Sequence, residues 1–116
     1  MSDTIFHKIM RREIPADVVY EDADVIAFRD IAPQAPVHVL FVPKVDFATL
    51  NDVPEDDALV IGRLATAAAR YAKQEGFAED GYRIVMNCNA DGGQTVFQIH
   101  LHLLAGAPLG RFGTPG

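Results

Sequence analysis

The chain has 116 residues, 49% of them hydrophobic and 22% charged, which is the composition of one ordinary globular domain. Ten Lys and Arg stand against 16 Asp and Glu, net −6; that balance argues against nucleic-acid polymers and anionic membranes as partners, because both need a basic face. The single cysteine, Cys88, forbids an intrachain disulfide and points to a reducing compartment, the cytoplasm.

Residues 1–116 read as one domain, with a core over about 3–106 and an irregular Gly- and Pro-bearing tail over 107–116. No charged segment followed by an apolar run opens the chain, so no signal peptide is expected. Residues 3–12 form a short helix, capped by Ser2 or Asp3, with Ile5, Phe6, Ile9 and Met10 on one face. Ile14-Pro15 stops it. Strands follow at 18–21 and 25–30, joined by the tight turn Asp22-Ala23-Asp24. The proline-rich link 32–36 leads to a strand at 37–42, which Pro43 ends. Pro54 opens a long helix, with Glu55, Asp56 and Asp57 complementing its positive end. Ile61, Leu64, Ala65, Ala68, Tyr71 and Ala72 form its apolar stripe, and Gly76 closes it. Its neighbourhood at 58–72 is the most apolar stretch, but Arg63 and Arg70 interrupt it and it is too short to span a bilayer. A strand at 82–87, a turn at 89–93 and a last strand at 96–104 complete the set. The class is α+β: a five-stranded antiparallel sheet with one short and one long helix.

The segment Gln98-Ile99-His100-Leu101-His102-Leu103 alternates strictly. On a strand it puts Gln98, His100 and His102 on one face and the aliphatic residues on the other. Three readings stay open. The histidines are half-exposed polar residues; or they ligate a metal, with His38 or Asp30 as third ligand; or they do phosphoryl chemistry, one imidazole as nucleophile and a neighbour contacting phosphate oxygens. The upstream turn Asp91-Gly92-Gly93-Gln94-Thr95 favours the last, because glycines admit a ligand close to backbone N–H donors. Asp30 either accepts bonds from sugar hydroxyls or caps a turn. Ile5, Phe6, Ile9, Phe28 and Ile31 line an apolar slot or pack in the core. His38 reads as a hydrogen-bonded structural histidine, Asn87 as a ligand or turn group, and His7 as a surface residue.

Together these residues resemble the histidine triad (HIT) family, Hint branch, over most of the chain. The markers are Asp3-Thr4-Ile5-Phe6 with Ile14-Pro15, then Asp30-Ile31-Ala32-Pro33-Gln34-Ala35-Pro36-Val37-His38, Val42-Pro43-Lys44, and Asp91-Gly92-Gly93-Gln94-Thr95-Val96 before the histidines. The resemblance implies a homodimer whose sheets join into one of ten strands. It implies a hydrolase releasing AMP or GMP from phosphoramidates or related conjugates, with no metal and no cofactor. By motif match, His100 is the nucleophile and His102 binds the phosphate. Thr95 stands near the leaving group, and Gly93, Gln94 and Val96 belong to the phosphate loop. Asp30 holds the ribose, and Asn87 contacts the phosphate or ribose. Ile5, Phe6, Ile9, Phe28 and Ile31 hold the base, with His38 in support. The family pattern has a histidine where this chain has Gln98, a residue that cannot carry a proton between states near neutrality. Two alternatives follow: a catalytically weak nucleotide-binding scaffold, and a dinucleoside polyphosphate hydrolase.

Overall fold

The computed structural model describes residues 3–112. Five antiparallel strands form one sheet: β1 (Val18–Glu21), β2 (Val25–Arg29), β3 (Val37–Pro43), β4 (Arg83–Val85) and β5 (Leu101–Ala105), in the order β1-β2-β3-β5-β4. The expected α+β class holds. Alternation along the strands divides the core in two. Val25, Ala27, Val39, Phe41, Leu101 and Leu103 pack on one face against Leu64, Ala67, Ala68 and Tyr71 of α2 (Leu59–Glu75). Ile26, Phe28, Leu40 and Val42 pack on the other against Phe6 and Ile9 of α1 (Ile5–Met10). The alanines of α2 let the helix lie close to the sheet. Every buried strand side chain facing α2 is apolar, so the polar chemistry collects on the α1 side.

Several boundaries differ from expectation for local reasons. Helix α1 is capped by Thr4, whose side chain accepts from His7 N while His7 Nδ1 accepts from Thr4 N. Ser2 lies outside the described residues, and Asp3 instead pairs with Arg11. Arg12 takes a positive φ of 60°, which ends the helix early. His7 is buried, not a surface residue, and its Nε2 bonds Asp46 at 3.0 Å. The three carboxylates after Pro54 occupy a 3-10 turn (Glu55–Asp57), and α2 starts only at Leu59. Its buried stripe is turned toward Ala67, leaving Ile61 and Ala65 half-buried. Gly76 closes it at φ 85°, as expected.

The last strand differs most. Gln98 to His100 lie outside the ladder: the β3–β5 pairing stops at Phe41–Leu101, and the chain before Leu101 bonds instead to the strap that follows β3. Ile99 N donates to Phe47 O at 2.8 Å. Strand β4 is likewise only three residues long. Among the described tail residues, Arg83 donates to the carbonyls of Gly110 (2.7 Å) and Arg111 (3.0 Å).

Candidate active site

The α1 face of the sheet carries three imidazoles. His38 and His102 sit on neighbouring strands, where Leu40 pairs with His102 and His38 with Leu104. His38 Nε2 and His102 Nδ1 are 2.9 Å apart. Gln34 N–H donates to His38 Nδ1 at 3.0 Å. That fixes the tautomers in sequence. His38 Nδ1 accepts, so its proton is on Nε2 and is donated to His102 Nδ1. The proton of neutral His102 is therefore on Nε2.

His100 follows the same logic. Its Nδ1 bonds the carbonyl of Gln98 at 2.8 Å, so Nδ1 carries the proton and Nε2 a free lone pair. Among the described residues no protein group bonds that Nε2. None of their side-chain nitrogens or oxygens is sealed from solvent without a partner, so Nε2 is open to the cleft. The ring is held edge-on to Phe6 (centroids 4.9 Å, 86°) and lies 5.1 Å from the ring of His102. Phe6 in turn packs on Phe28 at 5.3 Å.

Burial lowers the pKa of all three imidazoles. For His102 burial acts first, nearby His100 and His38 add to it, and Asp30 opposes, leaving a value of about 4. Burial also lowers His100, against the Gln98 carbonyl and Asp30. His38 is lowered by burial against Asp30. The triplet is therefore neutral at pH 7, and the His100 lone pair is available.

A cleft of about 410 Å³ opens over these groups, a size suited to a small-molecule ligand. Of the residues singled out in the sequence, Ile5, Phe6, Ile9, Phe28, Asp30, Ile31, Thr95, Val96, His100 and His102 line it. Its lining combines apolar side chains, Ile31 among them at 96% exposure, with the polar groups of Asp30, Thr95, His100 and His102. Five residues named with them lie outside the lining. His38 stands behind His102. Asn87 donates to Gly92 O (2.7 Å) and steadies the turn. Gly93 takes φ 82° in that turn. Gln94 is buried, with its amide donating to Ala48 O and Val96 O and accepting from Asn89 N. Its side chain shapes the loop instead of offering free donors. Gln98 is fully buried and bonds the strap after β3.

The cleft also takes in Ile14, Pro15, Ala16, Asp17, Arg29 and Leu40, which the sequence reading did not assign to it. Period-two alternation from His38 would have found Leu40. Asp30 closes the turn considered for it, Oδ1 accepting from Ala32 N at 2.8 Å, and its Oδ2 lies 3.5 Å from His38 Nε2 at the cleft.

Donor atoms of Asp30, His38 and His102 lie within 4.8 Å of one another, which makes them the trio that could hold a cation among the described residues. His100 is not part of it. A cation there would have to displace the proton shared by His38 and His102.

The turn that carries Thr95 leaves no room for a side chain at Gly92. A Cβ there would lie 2.4 Å from Cys88 O and 3.0 Å from Cys88 N. Gly92→Ala is expected to cost about 1–3 kcal/mol, read from urea denaturation. Gly62→Ala, in α2 with nothing within 4 Å, is the control and should stabilise by about 0.5–1 kcal/mol. Equal effects at the two sites would show that the turn is not tight.

A family model described as HIT domain matches residues 11–109. A purine nucleoside phosphoramidase of Escherichia coli K12 is 57% identical over 108 residues, 93% of this chain and 91% of that one. The crystal structure of a HIT family hydrolase from Legionella pneumophila superposes with a TM-score of 0.90 at 48% identity, covering 98% of this chain and all of the other. A histidine triad protein from Clostridium difficile superposes with a TM-score of 0.92 at 41% identity, covering 97% of each.

Proposed function

Because the chain belongs to the HIT domain family, we propose that this HIT-type enzyme releases a purine nucleoside monophosphate, AMP or GMP, from a phosphoramidate or related conjugate through a nucleotidyl-histidine intermediate at His100. The observation that carries the reading is the His100 ring. Its Nδ1 is tied to a backbone carbonyl and its Nε2 is left as a neutral nucleophile in a cleft lined by both apolar and polar side chains. The phosphoramidase named among the relatives supports the substrate class.

The steps follow from the placement of the groups. The base lies among Ile5, Phe6, Ile9, Phe28 and Ile31, and the ribose hydroxyls donate to Asp30. These contacts are remote from the breaking bond, so they serve orientation. His100 Nε2 attacks the phosphorus, a P–N bond to His100 forms, and the bond to the leaving group breaks as its nitrogen takes a proton from solvent. The His102 Nε2–H donates to a phosphate oxygen, and the turn that holds Gly93, Gln94 and Val96 flanks the same oxygens. Thr95, exposed at the cleft rim, is placed near the leaving group, and Asn87 acts by fixing the turn. Water then attacks the phosphorus and gives up a proton to solvent, the P–N bond to His100 breaks, and the monophosphate leaves. No step requires a metal or cofactor.

Strand β4 ends the sheet, with Ile84 exposed on it; that edge supports the homodimer with a joined sheet. Among the described residues no helix is long and apolar enough to cross a membrane, and the single cysteine supports a cytoplasmic setting. The weak-scaffold reading assumed that Gln98 interrupts a proton path. The His38–His102 bond runs without Gln98, so it gains no support.

The test is turnover of an adenosine 5′-phosphoramidate with a chelator present. AMP release insensitive to chelator is expected. AMP binding without turnover would replace the hydrolase reading by the binding one, and chelator-sensitive turnover would bring back the metal.

A further inference from the structure

Gln98 touches no part of the cleft, yet it is fully buried one residue before Ile99 and two before the nucleophile. All its polar groups are engaged by one short strap. Its Nε2 donates to Pro43 O (3.2 Å) and Val45 O (2.7 Å), and its Oε1 accepts from Phe47 N (3.2 Å). Two donors and one acceptor therefore meet two carbonyls and one amide. A neutral imidazole offers one donor and one acceptor, and could fill only two of the three places. The carboxamide is chemically matched to the strap and is not a defective histidine.

The same strap anchors the other parts that hold His100. Ile99 N donates to Phe47 O (2.8 Å), and Gln94 donates to the carbonyl of Ala48 just beyond it (2.7 Å). His7 bonds Asp46 (3.0 Å), next to Phe6, whose ring edge packs on His100. The carbonyl that keeps the proton on His100 Nδ1 belongs to Gln98 itself. A shift of this residue would move the acceptor that sets the nucleophile's tautomer.

We propose that Gln98 is a positioning residue: its carboxamide, clamped on the strap 43–47, holds its own carbonyl where it keeps the His100 lone pair on Nε2. The kinetic part rests on the hydrolase reading; the spectroscopic part does not.

The experiment compares wild type, Gln98→Glu and Gln98→His by steady-state kinetics on an adenosine 5′-phosphoramidate, by ¹⁵N NMR of the His100 ring, and by melting temperature. Gln98→Glu removes both donors. Its kcat is expected to fall by about tenfold or more with KM within about threefold, because the cleft lining is untouched. Its His100 ring signals should move away from the pattern of a single Nδ1–H tautomer. Gln98→His, with one donor and one acceptor, should fall between the two in both readouts, and it serves alone if the glutamate variant does not fold. The proposal is overturned if the His100 signals are unchanged in the variants, whether kcat holds or falls with the melting temperature alone. It is also overturned if Gln98→His turns over several times faster than wild type. Should wild type show no turnover, altered His100 signals would uphold the clamp and place the failure in the hydrolase reading; unaltered signals would refute the clamp as well.

Discussion

His100→Ala should lose about 10⁴-fold in turnover of an adenosine phosphoramidate while binding AMP within a few-fold of wild type. The asymmetry follows from where the ring sits. The surfaces assigned to base and ribose are Phe6, Phe28, the isoleucines and Asp30, and the substitution leaves all of them in place. What it removes is the free Nε2 lone pair. His102 cannot substitute, because its Nδ1 accepts the His38 proton and its Nε2 carries one. The neighbouring imidazole is thus a donor toward the cleft, not a nucleophile. The remaining route is direct attack by water, without the covalent intermediate that splits the displacement into two steps. Truncation also leaves a gap beside Phe6, so part of any loss could come from stability. Two measurements separate the causes: AMP affinity by calorimetry, and the mass of wild-type protein quenched in alkaline denaturant during turnover, which should show an added nucleotidyl group that the variant lacks. Retention of more than about a tenth of wild-type turnover by the variant would mean that another group attacks.

The parts of this site differ in how far the chain alone reveals them. Alternation makes the sheet legible: Ile26, Phe28, Leu40 and His102 share a face because period two leaves them no other. The pairing of His38 with His102 needed the register between β3 and β5, which spans 64 residues of sequence and has no local signature. His7 shows a different limit. Its position on the polar side of a short helix reads as solvent, but tertiary contact with Asp46 buries it. Gln98 shows a third. The alternating pattern Gln-x-His-x-His suggests one continuous strand, whereas the ladder with β3 stops at Phe41–Leu101 and the residues before it bond to a strap. Motif order was enough to indicate the family; the direction of each side chain depended on contacts the motif does not encode.

The neutral histidines that serve the chemistry should also make the protein acid-sensitive. In the unfolded chain each imidazole titrates near 6.5. In the fold His102 is pushed down to about 4, and His38 and His100 are lowered too, burial being the leading cause for each. Above 6.5 neither state is protonated and the shifts have no effect. As pH falls below 6.5 the unfolded chain takes up protons that the fold refuses, so stability is lost until the folded pKa is passed. For His102 the interval from 6.5 to about 4 corresponds to about 3 kcal/mol. Carboxylates add to the loss at lower pH. Glu13, lowered by Arg11, and Glu21, lowered by Lys44, contribute stability above their unfolded value of 4.5 and lose it below. The two windows can therefore be separated. Urea midpoints at pH 7, 6, 5.5 and 5 should fall steadily for wild type. His102→Gln keeps an acceptor for the His38 proton but does not titrate, so its midpoint should fall less over the same range, even if it starts lower. A wild-type midpoint that stays level from pH 6.5 to 5 would show that the imidazoles take up protons in the fold as readily as in the open chain. It would also remove the reason for His100 to keep its lone pair in mildly acidic solution. If the midpoint falls as expected, the burial that lowers acid stability is the same burial that keeps the nucleophile unprotonated below pH 6.5.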